Sequence, residues 1–124
     1  MTAPTGPSSV EALEKALNEL LLRGKALEAF ERFYADEIEI QDNDSPPVVG
    51  KQANRAREQA FFNAIEQLHR VELLGWAVNG DRSYSEWIYE FTLRGGERLR
   101  MCEVSARRWR DGQVVHERYY YKPG

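Results

Sequence analysis

Apolar positions recur at helical spacing in the first part of the chain and at a spacing of two in the last part. Val10, Leu13, Leu17, Leu20 and Leu21 predict a first helix. Ser8 followed by Glu11 fits a capping box at its start, and Gly24 suits a C-terminal cap. Leu27, Phe30, Phe33 and Tyr34 define a second, shorter helix. Ile38 and Ile40 alternate with Glu39 and Gln41, which predicts a short strand. The segment DNDSPPVVG (42–50) reads as loop, because two prolines and a run of turn-forming polar residues cannot carry a strand ladder. Lys51 to about Leu68 reads as a third helix, with Ala53, Ala60, Phe61, Ala64, Ile65 and Leu68 as its apolar stripe. Strands are then predicted over 71–78, 83–93, 98–110 and 114–121. Asn79-Gly80-Asp81, Gly95-Gly96 and Asp111-Gly112 supply the turns between them. Three helices before an antiparallel meander cover one of its faces, which predicts an α+β domain. The other face needs water or a second subunit.

At 124 residues the chain fits one domain, read as residues 10–124. The net charge of −3 and the lack of a basic block argue against a nucleic-acid binder. Arg107, Arg108 and Arg110 are the densest basic stretch, but Trp109 interrupts them and Asp111 follows. Cys102 is the single cysteine, so an intrachain disulfide is impossible. No apolar run approaches a membrane span. Residues 1–9 carry Pro4, Gly6 and Pro7 but no signal-peptide pattern, and read as the disordered tail of a cytoplasmic protein.

Three strings resemble the SnoaL-like and ketosteroid-isomerase-like superfamily, also called nuclear-transport-factor-two-like. They are FERFYADEIEIQDNDSPPVVGK (30–51), GDRSYSEWIYEFTLRGG (80–96) and EVSARRWRDGQVVHERYYY (103–121). The resemblance covers nearly all of the chain beyond residue 9. It implies a cone, a cystatin-like α+β barrel, with three helices on a strongly curved antiparallel sheet around one pocket. It further implies a small apolar molecule as partner, no cofactor, and a homodimer through the outer sheet face. The superfamily holds isomerases, polyketide-ring cyclases, epoxide hydrolases, dehydratases and silent binding domains, so the fold does not choose a reaction.

The resemblance points Trp87, Tyr89, Phe91 and Leu93 inward on one strand. It points Glu103, Ser105, Arg107 and Trp109 inward on the next, and Val115, Glu117, Tyr119 and Tyr121 on the last. Apolar patterning agrees for the first set. On the second, Cys102, Val104 and Ala106 form the more apolar face. Asp42 ends the first strand, where the isomerases carry their catalytic base. A carboxylate beside a poorly hydrated cavity has its pKa raised, which suits proton abstraction near neutrality. Glu103 is the nearest candidate for a second, protonated carboxyl, with Ser105 at the more literal match. Glu117 would stand in for the aspartate of the cyclases if the register allows. The isomerase tyrosine of helix one has no counterpart; Leu17 or a neighbour occupies that turn. The candidates are thus Asp42, Glu103 and Glu117 for proton transfer. Trp87, Tyr89, Phe91, Ser105, Arg107, Tyr119 and Tyr121 are the candidates for ligand contact.

Each has a plainer alternative. Asp42 can cap its own loop. Glu103 and Glu117 can form cross-strand ion pairs with Arg107, Arg98 or Arg118. An Arg107–Glu pair would still favour an oxygenated ligand. His116 and Glu117 are adjacent on a strand and face opposite ways. His69 suits a helix end, and Cys102 reads as a packed, inert thiol. Tyr120, His116, Arg118, Ile88 and Val104 make the outer face that a homodimer would cover. Three functions stay open: a cofactor-independent isomerase, cyclase or hydrolase, a non-catalytic binding domain, and a dimeric adaptor.

Overall fold

The computed structural model describes residues 9–122. The first helix, α1 (Val10–Leu22), is capped by Ser9, whose Oγ accepts from the Ala12 N–H at 3.1 Å. Ser8, the expected cap, and the rest of the N-terminal tail lie outside the described residues. At the other end the Gly24 N–H reaches the Leu21 carbonyl and the Lys25 N–H reaches that of Leu20. This Schellman arrangement needs a left-handed residue, which Gly24 supplies at φ +76°.

After α2 (Ala26–Phe33) comes β1 (Tyr34–Asp42), so Tyr34 opens a strand and does not end the helix. Within the stretch expected to be all loop, β2 (Val48–Val49) pairs with Glu39 and Ile40. The third helix is α3 (Lys51–Ala64), followed by β3 (Ile65–Asn79), β4 (Arg82–Leu93), β5 (Arg98–Arg110) and β6 (Gln113–Tyr121). The helix therefore stops short of Leu68. Pairing of Ile65 with Leu93 and of Leu68 with Phe91 draws these residues into the sheet. Tertiary pairing overrides a local pattern that fits either state. His69 consequently sits within β3, its Nε2 2.7 Å from Thr92 Oγ1.

The sheet order is β2-β1-β6-β5-β4-β3. Neighbours are antiparallel except β1 and β6, which run parallel, so the sheet is mixed. β2 and β3 are its two edges, so the cone stays open along one side. The principal core joins Leu17 and Leu20 of α1, Phe30 and Phe33 of α2, Ile38 and Ile40 of β1, Trp109 of β5 and Val114 of β6. A register shift opposite Arg108 and Trp109 leaves Val115 as the extra residue of β6, so Val114 takes the core place beside Trp109. The facing of α3 differs from its predicted stripe. Ala53, Ala60 and Ala64 are exposed, while Asn54 is buried and Glu58 half-buried. Cys102 is exposed, not packed, because it lies on the outward face of β5.

Candidate functional site

Strand alternation turns Glu103, Ser105, Arg107 and Trp109 of β5 inward, against the more apolar alternative face. Cross-strand register then sets Ser105 opposite Tyr119 and Arg107 opposite Glu117. On the parallel side, Ile40 pairs with Glu117 and Asp42 with Tyr119. These pairings gather polar side chains from distant parts of the chain between sheet and helices.

The centre of the gathering is Arg107, 3% exposed. Its Nε donates to Glu117 Oε2 at 2.6 Å, and its Nη1 donates to Glu14 Oε2 at 2.9 Å and Ser85 Oγ at 3.2 Å. Both carboxylates are fully buried. Glu117 also accepts from the Tyr34 and Tyr119 hydroxyls, each at 2.6 Å. Glu14 accepts from Ser83 Oγ at 2.7 Å and Asn18 Nδ2 at 3.0 Å. Trp87 Nε1 donates to Ser85 Oγ and Trp109 Nε1 to Ser83 Oγ, each at 2.8 Å. One guanidinium thus holds two carboxylates, hydroxyl and amide donors fill much of their remaining capacity, and the indoles donate to the serines. Burial, then the Glu117 charge, push the Tyr34 and Tyr119 hydroxyls well above the ordinary phenol value, so both remain donors.

Above this network lies a cavity of about 330 Å³. Arg57, Phe61 and Leu68 line it while remaining exposed, which places its mouth at that end. The predicted residues divide by position. Tyr89, Phe91, Ser105, Arg107, Tyr119 and Tyr121 are on its wall. Trp87 is not; it is fully buried behind Tyr89, ring stacked on ring at 5.7 Å. Asp42 is on the wall, with its Oδ2 held 2.5 Å from Arg57 Nη2. Glu117 lies beneath the wall, with its oxygens taken by Tyr34, Arg107 and Tyr119.

Glu103 faces the cavity, and among the described residues its carboxyl accepts only a long hydrogen bond, from Ser105 Oγ at 3.4 Å. Burial, then the Glu117 charge, raise its carboxyl to about 8, against a smaller opposing pull from Arg107. Glu58 of α3 faces the same space, and the same two causes raise it to about 7. Tyr89 lines the same cavity. Burial raises its hydroxyl, which therefore stays a donor, and among the described residues it makes no hydrogen bond. No three His, Cys, Asp or Glu side chains of the described residues are arranged to hold a metal ion.

Sequence reasoning missed Glu14, Tyr34, Asn54 and Glu58. Glu14 had a signal: it falls within the apolar stripe of α1, four residues after Val10 and three before Leu17. Asn54 and Glu58 are four residues apart, and Phe61 and Phe62 follow three and four residues later, an inward face with a polar start that the alanines of α3 obscured.

The SnoaL-like domain family profile matches residues 12–117, and the chain belongs to that family. The fold is that of the ketosteroid-isomerase-like, nuclear-transport-factor-two-like proteins. A candidate SnoaL-like polyketide cyclase from Mesorhizobium loti is 29% identical, with a TM-score of 0.84, covering 91% of this chain and 99% of its own. A ketosteroid-isomerase-like protein from Catenulispora acidiphila, solved in complex with trimethylamine, is 17% identical with a TM-score of 0.72. The match covers 89% of this chain and 85% of that one. A hydroxylase candidate from Streptomyces galilaeus is 18% identical with a TM-score of 0.71, covering 90% and 87% of the two chains. No curated protein matches the sequence. No helix among the described residues is long and apolar enough to cross a membrane.

The buried network predicts that Arg107→Leu destabilises the protein by about 3–5 kcal/mol, because two buried carboxylates lose their cation. Urea denaturation measures this; a loss below about 1 kcal/mol would show that the network is not needed for folding.

Proposed function

We propose that the protein is a cofactor-independent enzyme that moves a proton on a small, largely apolar, oxygenated molecule held in the cavity. The observation that carries this reading is Glu103. It is a cavity-wall carboxyl raised to about 8, beside a phenol, Tyr89, that is free to donate. The ionised Glu103 takes a proton from a carbon next to a carbonyl. The C–H electron pair moves into the carbonyl, and the Tyr89 hydroxyl hydrogen-bonds the resulting oxyanion. Glu103 then returns the proton to carbon, on the same atom or a conjugated one, so no co-reactant is needed. A base whose pKa lies near the working pH is both available and strong enough to act. Asp42 and Glu117 fit this role less well, since Arg57 holds the first and three donors occupy the second.

A panel of small cyclic ketones in deuterated buffer tests the reading by NMR. Exchange of the α-protons should be catalysed, with a rate that rises with pH and levels off above about 8. Glu103→Gln should lower it by about 100-fold or more. An unchanged rate in that variant removes Glu103 from the chemistry.

The second reading, a non-catalytic binding domain, has one observation in its favour. The Tyr34 and Tyr119 hydroxyls both donate to Glu117 and so do not stabilise an oxyanion in the cavity. On that reading ketones raise the melting temperature and no exchange occurs.

We also infer a homodimer through the outer sheet face. Tyr84 and Tyr120 stand exposed there, with Val104 half-buried between their strands. Ile88 is already buried, so the apolar area is narrower than its sequence pattern suggests. Light scattering should give a dimer mass, and Tyr120→Lys should give a monomer; a monomeric parent protein rejects the assembly.

A further inference from the structure

The charges on the cavity wall do not balance. The wall carries the acids Asp42, Glu58 and Glu103 and the cations Arg57 and Arg107. Arg57 is held by Asp42. The single charge of Arg107 is shared between Glu14 and Glu117. Among the described residues no ion pair and no hydrogen bond reaches the Glu58 carboxyl; Arg57 and Arg107 act on it only at longer range, and burial, then the Glu117 charge with a smaller push from Asp42, outweigh them.

One turn earlier on the same face of α3 is Asn54, 1% exposed. Its Nδ2 donates to the Val48 and Gly50 carbonyls, each at 2.9 Å. Its Oδ1 is buried with no donor in reach, and Asn54 lines the same cavity. A buried acceptor without a donor is costly, and most such groups find a partner. This stretch of α3 therefore brings two kinds of acceptor to the cavity wall, one of them a carboxyl without an ion pair.

We propose that Asn54 and Glu58 form an anchoring subsite for the ammonium group of a small organic amine, whose apolar body lies along the aromatic wall towards Glu103. An ammonium supplies both things the subsite lacks, hydrogen-bond donors and a positive charge. Phe61, Phe62, Tyr89 and Phe91 give the apolar body its surroundings, and ring faces attract a cation. An anion meets an unpaired carboxyl, and a neutral alcohol brings a donor without the charge. The proposal rests on the cavity being a ligand pocket, as above, and adds the charge of the ligand. It leaves Glu103 as the proton-moving group, with Glu58 and Asn54 as binding residues.

Isothermal titration of the whole protein at pH 7 with benzylamine, benzyl alcohol and benzoate tests it. Benzylammonium should bind about tenfold or more tightly than benzyl alcohol, and benzoate weakest of the three. Because burial and the Glu117 charge hold Glu58 up to about 7, an arriving ammonium favours its ionised form. Benzylamine binding should therefore release a fraction of a proton, read from the heat difference between buffers of unlike ionisation enthalpy. Glu58→Gln should abolish both the preference and the proton release while still binding benzyl alcohol, which shows that the variant is folded. Equal affinity for alcohol and amine, or an undiminished preference in Glu58→Gln, overturns the amine subsite and leaves the pocket reading intact. Binding of none of the three overturns both.

Discussion

One guanidinium between two buried carboxylates is the constraint on which the rest of this structure depends. Glu14 comes from the first helix, Glu117 from the last strand and Arg107 from the strand beside it. Burying three charges is unfavourable unless each is paired and its remaining hydrogen-bonding capacity is met. Here Tyr34, Tyr119, Ser83, Asn18 and Ser85 meet much of it, and the two indoles of Trp87 and Trp109 bond the serines in turn. The arrangement closes only when α1, β1, β4, β5 and β6 are all in register. It therefore specifies the fold as much as it stabilises it.

The same network sets the chemistry above it. Two carboxylates on one guanidinium leave net negative charge under the cavity floor. Glu103 and Glu58, already poorly hydrated, feel the Glu117 charge as repulsion, and so hold their protons to about 8 and about 7. Cavity walls made of Phe61, Phe62, Tyr89 and Phe91 offer these carboxyls little polar solvation, which weakens the screening of that repulsion. A reactive carboxyl is thus a consequence first of its burial and then of how the core is charged. The interior of one end of the cone is inseparable from the proton affinity of the other.

Much of the fold was legible because each hairpin carries its own turn chemistry. Asp111 and Gly112 both adopt positive φ, as a two-residue primed turn requires. The α3–β3 boundary was not legible, because residues 65–68 suit a helix locally and only pairing with β4 decides against it. The parallel pairing of β1 with β6 joins residues far apart in sequence, and no local pattern encodes it. In the site, the inward facing of Glu103, Ser105 and Arg107 on β5, and of Glu117 with Tyr119 on β6, came from the family resemblance, since apolar patterning on β5 favours the opposite face. Helical spacing was read only for apolar residues, so the inward polar face of α3, Asn54 and Glu58, went unseen. Asp42 was found by its place in the chain, but its ion pair with Arg57 depends on a helix packing that sequence alone does not position.

The measurement that bears most directly on this account is a site-resolved titration of the glutamate carboxyls by carbon-13 NMR in the ligand-free protein. The account predicts that the Glu58 and Glu103 side chains titrate near 7 and near 8, separate from the exposed glutamates. If both lose their protons near the ordinary glutamate value of about 4.3, the buried charge beneath the cavity does not govern its wall, and the proposed chemistry has no physical basis.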